Sequence, residues 1–158
     1  MHIGLISDTH GLLRPEVFSV FEGVQHILHA GDVGDPDILT ELEAVAPLTA
    51  VWGNTDSWEL RDRLPERAEV SLGGLPVVVI HGQQYGSPRA REVGGANPDV
   101  RLVVFGHSHR PEVERVDDCL AVNPGSAGPA RFKLPVTVAI AELTGTSVEA
   151  RIVDLRKL

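Results

Sequence analysis

The sequence predicts an α/β protein, a β-sandwich of mixed parallel and antiparallel strands with helices outside. Short apolar runs of four to six residues, rich in Val and Ile and closed by Gly or Asp, are strand signals, because a helix of that length rarely stands alone. In the first half these runs alternate with amphipathic stretches, the βαβα rhythm of a parallel sheet. In the second half they come in hairpin pairs. A chain of 158 residues fits one domain, residues 1–158, and can bury roughly 70% of its unfolded surface. It has no repeats, linkers or low-complexity segments.

Each element has its own local reason. The first strand runs through LIS to Asp8, and Arg14 to Phe21 reads as a short helix with Pro15 in its first turn. The run HILHA is the second strand. After it, Asp35 is an N-cap and Pro36 the first helical residue, with Ile38, Leu39, Leu42, Val45 and Ala46 on one helical face. The run AVW leads to Gly53, followed by a charge-rich stretch from Ser57 to Pro65. In that stretch Trp58 reads either as a partly buried core or interface aromatic or as a platform for a base or aryl group. Ala68 to Leu72, the pair Gly73-Gly74 and Leu75 to Ile80 form a hairpin. Residues 84–98 read only weakly as helix and are expected to be mobile or substrate-facing. Leu102 to Phe105 is a strand, Glu112 to Val116 and Leu120 to Asn123 a short pair, and Cys119 a small hydrophobe beside it. Pro135 to Leu143, a turn at Thr144-Gly145-Thr146, and Ser147 to Leu155 close the chain as a hairpin.

Bulk properties narrow the function. A formal charge of −8 argues against a dedicated nucleic-acid binder, which needs a basic footprint. A single Cys allows no internal disulfide and fits a reducing cytoplasm. No apolar run approaches the ~18 residues of a membrane span, and no basic leader precedes an apolar segment. A cytoplasmic protein without membrane attachment is expected; self-association is left open.

The chemistry lies in five polar clusters, each directly behind an apolar run: Asp8-Thr9-His10-Gly11, Gly31-Asp32, Gly53-Asn54-Thr55-Asp56, His81-Gly82 and Gly106-His107-Ser108-His109. In open α/β sheets the carboxyl ends of the strands form the ligand crevice, so five loops can converge without being close in sequence. Taken singly, each cluster is also ordinary turn sequence. Together they hold four of the seven histidines, and two imidazoles at i and i+2 beside Gly106 have no evident packing use. Carboxylate and amide oxygens with imidazole nitrogens suit borderline divalent ions such as Mn, Fe, Zn, Co or Ni. A magnesium site would carry more oxygen and fewer imidazoles. Seven candidate ligands, Asp8, His10, Asp32, Asn54, His81, His107 and His109, exceed what one tetrahedral ion uses and favour two ions with Asp32 as a bridge.

The remaining histidines read as structural. His2 and His26 begin strands; His29 reads as a buried core residue, with a role behind the metal ligands as its alternative.

In order and spacing, Asp-x-His, Gly-Asp, Gly-Asn-x-Asp, His-Gly and Gly-His-x-His resemble the calcineurin-like metallophosphoesterase superfamily. The short chain with Asn123-Pro124-Gly125-Ser126 near its end resembles the superfamily's small bacterial and archaeal phosphodiesterase branch. The match spans Asp8 to Ser126, about three quarters of the chain. The resemblance implies a four-layer αββα sandwich of two mixed sheets, and two divalent metal ions, Mn foremost. It places Asp8, His10, Asp32 and His109 on one ion and Asp32, Asn54, His81 and His107 on the other. Asp32, Asn54, His107 and Asp56 would act directly in hydrolysing a small phosphodiester through a hydroxide shared by the ions. Many members carry a histidine after the Asn of the third motif; here that position is Thr55, as is common in the small branch.

Three further residues carry two readings each. Asp56 either orients a ligand imidazole or closes a turn, the Asn123 to Ser126 loop either folds over the crevice or is only a turn, and Arg131 either contacts phosphate or is solvated. A phosphomonoesterase, or a non-catalytic scaffold like the small subunit of the retromer coat, is the alternative function.

Overall fold

A computed structural model describes the whole chain, Met1–Leu158. Two five-stranded sheets face each other. The first has the order β10-β9-β1-β2-β3, from β1 (His2–Ile6), β2 (His26–His29), β3 (Leu48–Ala50), β9 (Thr137–Thr144) and β10 (Ser147–Asp154). The second has the order β4-β5-β6-β8-β7, from β4 (Arg67–Leu72), β5 (Leu75–Ile80), β6 (Leu102–Val104), β7 (Glu112–Val116) and β8 (Cys119–Asn123). Strands β1, β2 and β3 are parallel, as are β5, β6 and β8; β9 runs antiparallel between β1 and the edge strand β10, and β4 and β7 run antiparallel at the two edges of the second sheet.

The unbroken apolar runs of the central strands follow from burial on both faces. Side chains alternate across a strand. Ile3, Leu5, Leu28, Val77, Val79, Leu102, Val104, Leu120 and Val122 therefore fill the space between the sheets. The intervening Ile27, Val138 and Ile140 meet helices α1 (Pro15–Val20), α2 (Pro36–Glu43) and α3 (Trp58–Arg63) through Val17, Ile38, Leu39, Leu42 and Leu60. On the far side, Val78, Ile80, Val103, Phe105 and Ala121 pack on α4 (Ala90–Gly95) through Ala90 and Val93. The result is the four-layer helix-sheet-sheet-helix sandwich. Mid-strand Gly4 has a packing reason, since any Cβ there would run into the Phe21 ring.

Helix starts follow their caps. Asp35 accepts from the Asp37 amide with Pro36 next in line, and Ser57 accepts from Leu60. The closing hairpin is tighter than the sequence suggests: Thr144 pairs with Ser147, so Gly145 and Thr146 alone make the turn.

Two expectations are corrected. Residues 84–98 are not one loose segment, because α4 is docked on β7 and β8, with Gly94 against Val116 and Ala121, and only Gly86 to Arg89 before it line a cleft beside His107. Its weak helical signal reflects a helix of six residues stabilised by packing. Trp58 is 81% exposed at the start of α3 and belongs to no core cluster, which removes its core reading and leaves the interface and stacking readings; Leu60 supplies the buried contact of that helix.

Candidate metal centre

The carboxyl ends of β1, β2 and β3 in one sheet and of β5, β6 and β8 in the other open on the same edge of the sandwich. The loops there are stitched by backbone bonds: Asp8 N–H to Gly31 O (3.0 Å), His10 N–H to Asp32 O (2.9 Å) and Gly106 N–H to His81 O (2.9 Å). The stitching brings all seven candidate ligands together, in two groups.

Asp8, His10 and His109 form one group and Asp32, His81 and His107 the other, with the donor atoms of each within 4.8 Å of one another. In the first, His10 Nε2 and His109 Nε2 are 3.2 Å apart, and His109 Nε2 is 3.2 Å from Asp8 Oδ1. In the second, His81 Nε2 lies 3.1 Å from Asp32 Oδ2 and 3.3 Å from His107 Nδ1, and Asn54 Oδ1 adds a donor 3.1 Å from His107 Nδ1. Asp32 Oδ2 is also 3.7 Å from His10 Nε2, between the groups. Two donors bound at ~2.0–2.1 Å to one ion, at tetrahedral or octahedral angles, sit roughly 2.8–3.4 Å apart. The spacings fit that geometry.

Hydrogen bonding supports the same fit. Asp8 Oδ2 accepts from Ser7 Oγ (2.7 Å) and the His107 amide (3.2 Å), whereas Oδ1 is buried with no donor, although His109 Nε2 is close. A buried carboxylate oxygen without a donor is costly unless a cation satisfies it. His81 Nδ1 is 2.7 Å from the Ala30 carbonyl, so that nitrogen carries the proton and donates, leaving the Nε2 lone pair for the centre.

Charge is concentrated here. Burial alone would raise the Asp8 carboxyl, but His10, His109 and His81 outweigh it and hold Asp8 well below the usual carboxylate range. Burial likewise opposes ionisation of Asp32, and the His81 hydrogen bond and charge reverse it, lowering its pKa. For His81, burial disfavours the imidazolium, while Asp32, Asp8 and the Ala30 carbonyl raise its affinity for a positive charge.

Backbone at the site is unusual. Asp8, His10, Asp32, His107 and His109 have φ of 56°, 45°, 55°, 71° and 61°, in the left-handed region that few non-glycine residues enter. The neighbouring glycines are there for close approach: a Cβ on Gly53 would collide with Asp32, and one on Gly106 with Ser7 and Asp8.

Asp56 does not touch a ligand imidazole, and this corrects the first of its two readings. Its carboxylate accepts from the amides of Val33 (3.2 Å), Gly34 (2.9 Å) and Gly53 (2.9 Å), closing its own turn and tying the Asn54 loop to the Asp32 loop. Thr55 is exposed, and its amide donates to Asp32 Oδ1 (2.9 Å). Buried His29 accepts from Gly31 N–H at Nδ1 (3.1 Å), so its Nε2–H faces Thr9 Oγ1 (3.0 Å), which donates to Val33 O (2.8 Å). Burial pushes its pKa down to about 4 and keeps it neutral.

The Asn123 to Ser126 loop lies beneath the crevice and braces it. Asn123 Nδ2 donates to Gly106 O and Ser108 Oγ, and Ser126 Oγ to Asp8 O. Arg131 is exposed. Sequence reasoning missed Ser7, whose only signal is adjacency to Asp8. It also missed Arg61, which donates to Asn54 O (2.6 Å) and Asp56 O (3.0 Å) and stacks 4.6 Å over Trp52. Nothing in the composition of α3 singles Arg61 out.

A two-sheet sandwich with a cluster of carboxylates and imidazoles at its strand ends is the architecture of a metal-dependent phosphoesterase. Residues 1–146 match the model of the calcineurin-like phosphoesterase superfamily domain, and the chain belongs to that family. It is 36% identical to a probable metallophosphoesterase of Methanothermobacter thermautotrophicus, over 97% of this chain and 92% of that one. It is 31% identical to a phosphodiesterase of Methanocaldococcus jannaschii, over 79% of this chain and 83% of that one. Among solved structures, Vps29 of Chaetomium thermophilum superposes with a TM-score of 0.77 at 20% identity, over 97% of this chain and 96% of that one, a likeness of fold.

Proposed function

We propose that the protein hydrolyses phosphodiester bonds of small substrates at a centre of two divalent ions, Mn being the first candidate. The observation that carries the reading is the convergence of seven oxygen and nitrogen donors into two groups that meet at Asp32 Oδ2. Bound there, such ions supply positive charge to phosphoryl oxygens and make water nucleophilic near neutral pH for in-line displacement.

The chain's own part is positioning. Asp8 Oδ1 and Asp32 Oδ2 face the centre while their second oxygens are tied to Ser7, His107 and Thr55. The Ala30 carbonyl fixes the His81 tautomer, and Asp56 and Arg61 hold the loop that presents Asn54. At Thr55 the chain offers a hydroxyl and no imidazole. A monoester dianion gains most from a further cationic donor, whereas a diester with an activated leaving group gains least. The phosphodiesterase relative agrees with that preference. The formal charge of −8 favours a small substrate over a polynucleotide, and the single Cys supports a reducing cytoplasm as the site of the reaction. No helix is long and apolar enough to cross a membrane.

A scaffold reading draws on the fold likeness to Vps29. The complete donor set favours turnover. The deciding experiment compares kcat/KM for a matched aryl phosphodiester and monoester on the Mn-loaded protein and on Thr55→His. The diester is expected to be the better substrate, and Thr55→His to shift the ratio toward the monoester, by up to the ~10²–10⁴ that general acid catalysis contributes. Preference of the wild type for the monoester overturns the assignment; an unchanged ratio in the variant means that Thr55 does not set substrate class, and hydrolysis of neither ester returns the chain to the scaffold reading.

A further inference from the structure

A cleft of about 740 Å³ adjoins the metal centre, with His107 in its wall. The loop Gly86 to Arg89 forms one side, and Ser108, Arg110, Pro111 and Glu112 the other. It has no Phe, Tyr or Trp, and Leu134 is its one large apolar side chain. Its charges do not cancel. Glu112 accepts from Arg89 Nε (2.7 Å) through one oxygen and from the Ala90 amide (2.8 Å) through the other, so both its oxygens and Arg89 are engaged. The Arg110 guanidinium has neither an ion pair nor a hydrogen bond within the protein.

The backbone of Arg110 is nonetheless held. Its amide donates to Ser108 Oγ (3.3 Å), that oxygen is anchored by Asn123 Nδ2 (3.0 Å), and Pro111 restricts the residue before it to extended conformations. A free arginine on a fixed backbone, directly after the candidate ligand His109, suits an oxyanion that the guanidinium can grip with two hydrogen bonds.

We infer that this cleft receives one alcohol arm of the diester and that Arg110 selects arms carrying an anionic group, a carboxylate or a phosphate. The inference rests on the phosphodiesterase reading and narrows its substrate class to diesters with a second negative charge. The polar lining disfavours an arm that is only an apolar ring.

The test uses bis(4-carboxyphenyl) phosphate and its uncharged near-isostere bis(4-carbamoylphenyl) phosphate on the Mn-loaded protein. Wild type is expected to prefer the carboxylate by about tenfold in kcat/KM, the scale of one charge-assisted hydrogen bond at a partly exposed site. Arg110→Gln is expected to bring that ratio close to one. An equal ratio in wild type and variant overturns the inference. Should neither diester be hydrolysed by the wild type, the phosphodiesterase reading fails, and the anion site is judged by a second measurement. The metal-free protein is titrated with inorganic phosphate while the amide resonances of Gly86, Ser87 and Arg110 are followed. Saturable shifts that Arg110→Gln abolishes support the site; absent shifts, or shifts the variant retains, overturn it.

Discussion

Five candidate ligands, Asp8, His10, Asp32, His107 and His109, hold positive φ, a conformation that costs of order 1–3 kcal/mol each when the surroundings must impose it. The loops impose it through the amides that bond Asp8 to Gly31 and His10 to Asp32. Asp32 faces both groups, so Asp32→Ala is expected to lose both ions and fall to background activity. His109→Ala is expected to weaken one ion and keep the other. Metal analysis after dialysis decides; two ions retained in Asp32→Ala would remove the bridge. His29 supplies a pH dependence of a different kind. Its folded pKa of about 4 lies below the ordinary imidazole value of 6.5. Between those values the unfolded chain takes up a proton that the folded one refuses, so stability declines as pH falls from 6.5 toward 4, by roughly 3 kcal/mol in full. Protonating Nδ1 would also break its bond from Gly31, beside Asp32. Urea unfolding of metal-free protein from pH 7 to 4.5 should show a shallower slope in His29→Gln than in wild type, and equal slopes would sink the assignment.

At the scale of elements, the loops after β2 and β3 behave as one unit because Asp56 clamps three of their amides. Removing its carboxylate leaves those N–H groups without their acceptor. Asp56→Ala is therefore expected to cost about 3 kcal/mol or more, while Asp56→Asn, which keeps one acceptor oxygen, costs less. Both variants should bind metal more weakly in proportion, since the clamp sets the distance between Asp32 and Asn54. Full metal affinity in a destabilised Asp56→Ala would separate the clamp from the centre. Helix α4 shows the limit of local signals. Six residues with two glycines carry little helical propensity, and Ala90 and Val93 hold the helix by burial on the second sheet. For the same reason Trp58 could not be placed by its type: the helix it begins turns Leu60 inward instead.

At the scale of the whole molecule, metal loading is expected to couple to stability. The donors come from both sheets, so an ion that binds only the folded chain stabilises the sandwich across its open edge. At about a hundred times its dissociation constant, one such ion adds ~2.7 kcal/mol, which for a domain of this size is a rise of roughly 5–10 °C in Tm. Chelation should lower Tm by that amount and abolish activity, and Mn should restore both better than Mg. Metal analysis should then find two ions per chain. A Tm indifferent to chelator and Mn would mean that the donor cluster holds no ion in the folded protein.

Much of this was legible in the sequence. Strands buried on both faces must be continuously apolar, so β1, β2, β5 and β6 announce themselves, and the polar residues that follow each one fall at the sheets' carboxyl ends whatever the details. Asp35-Pro36 marks a helix start and Gly73-Gly74 a hairpin by rules that act over a few residues. The identity of the seven donors follows from those local facts. Their grouping into two sets of defined spacing, the left-handed φ of five of them, the amide clamp of Asp56, the brace of Asn123 and the unpaired charge of Arg110 do not. Each depends on a partner that is far along the chain or on a partner being absent, and only the packing of one sheet on the other brings such groups to within hydrogen-bonding distance or keeps them apart.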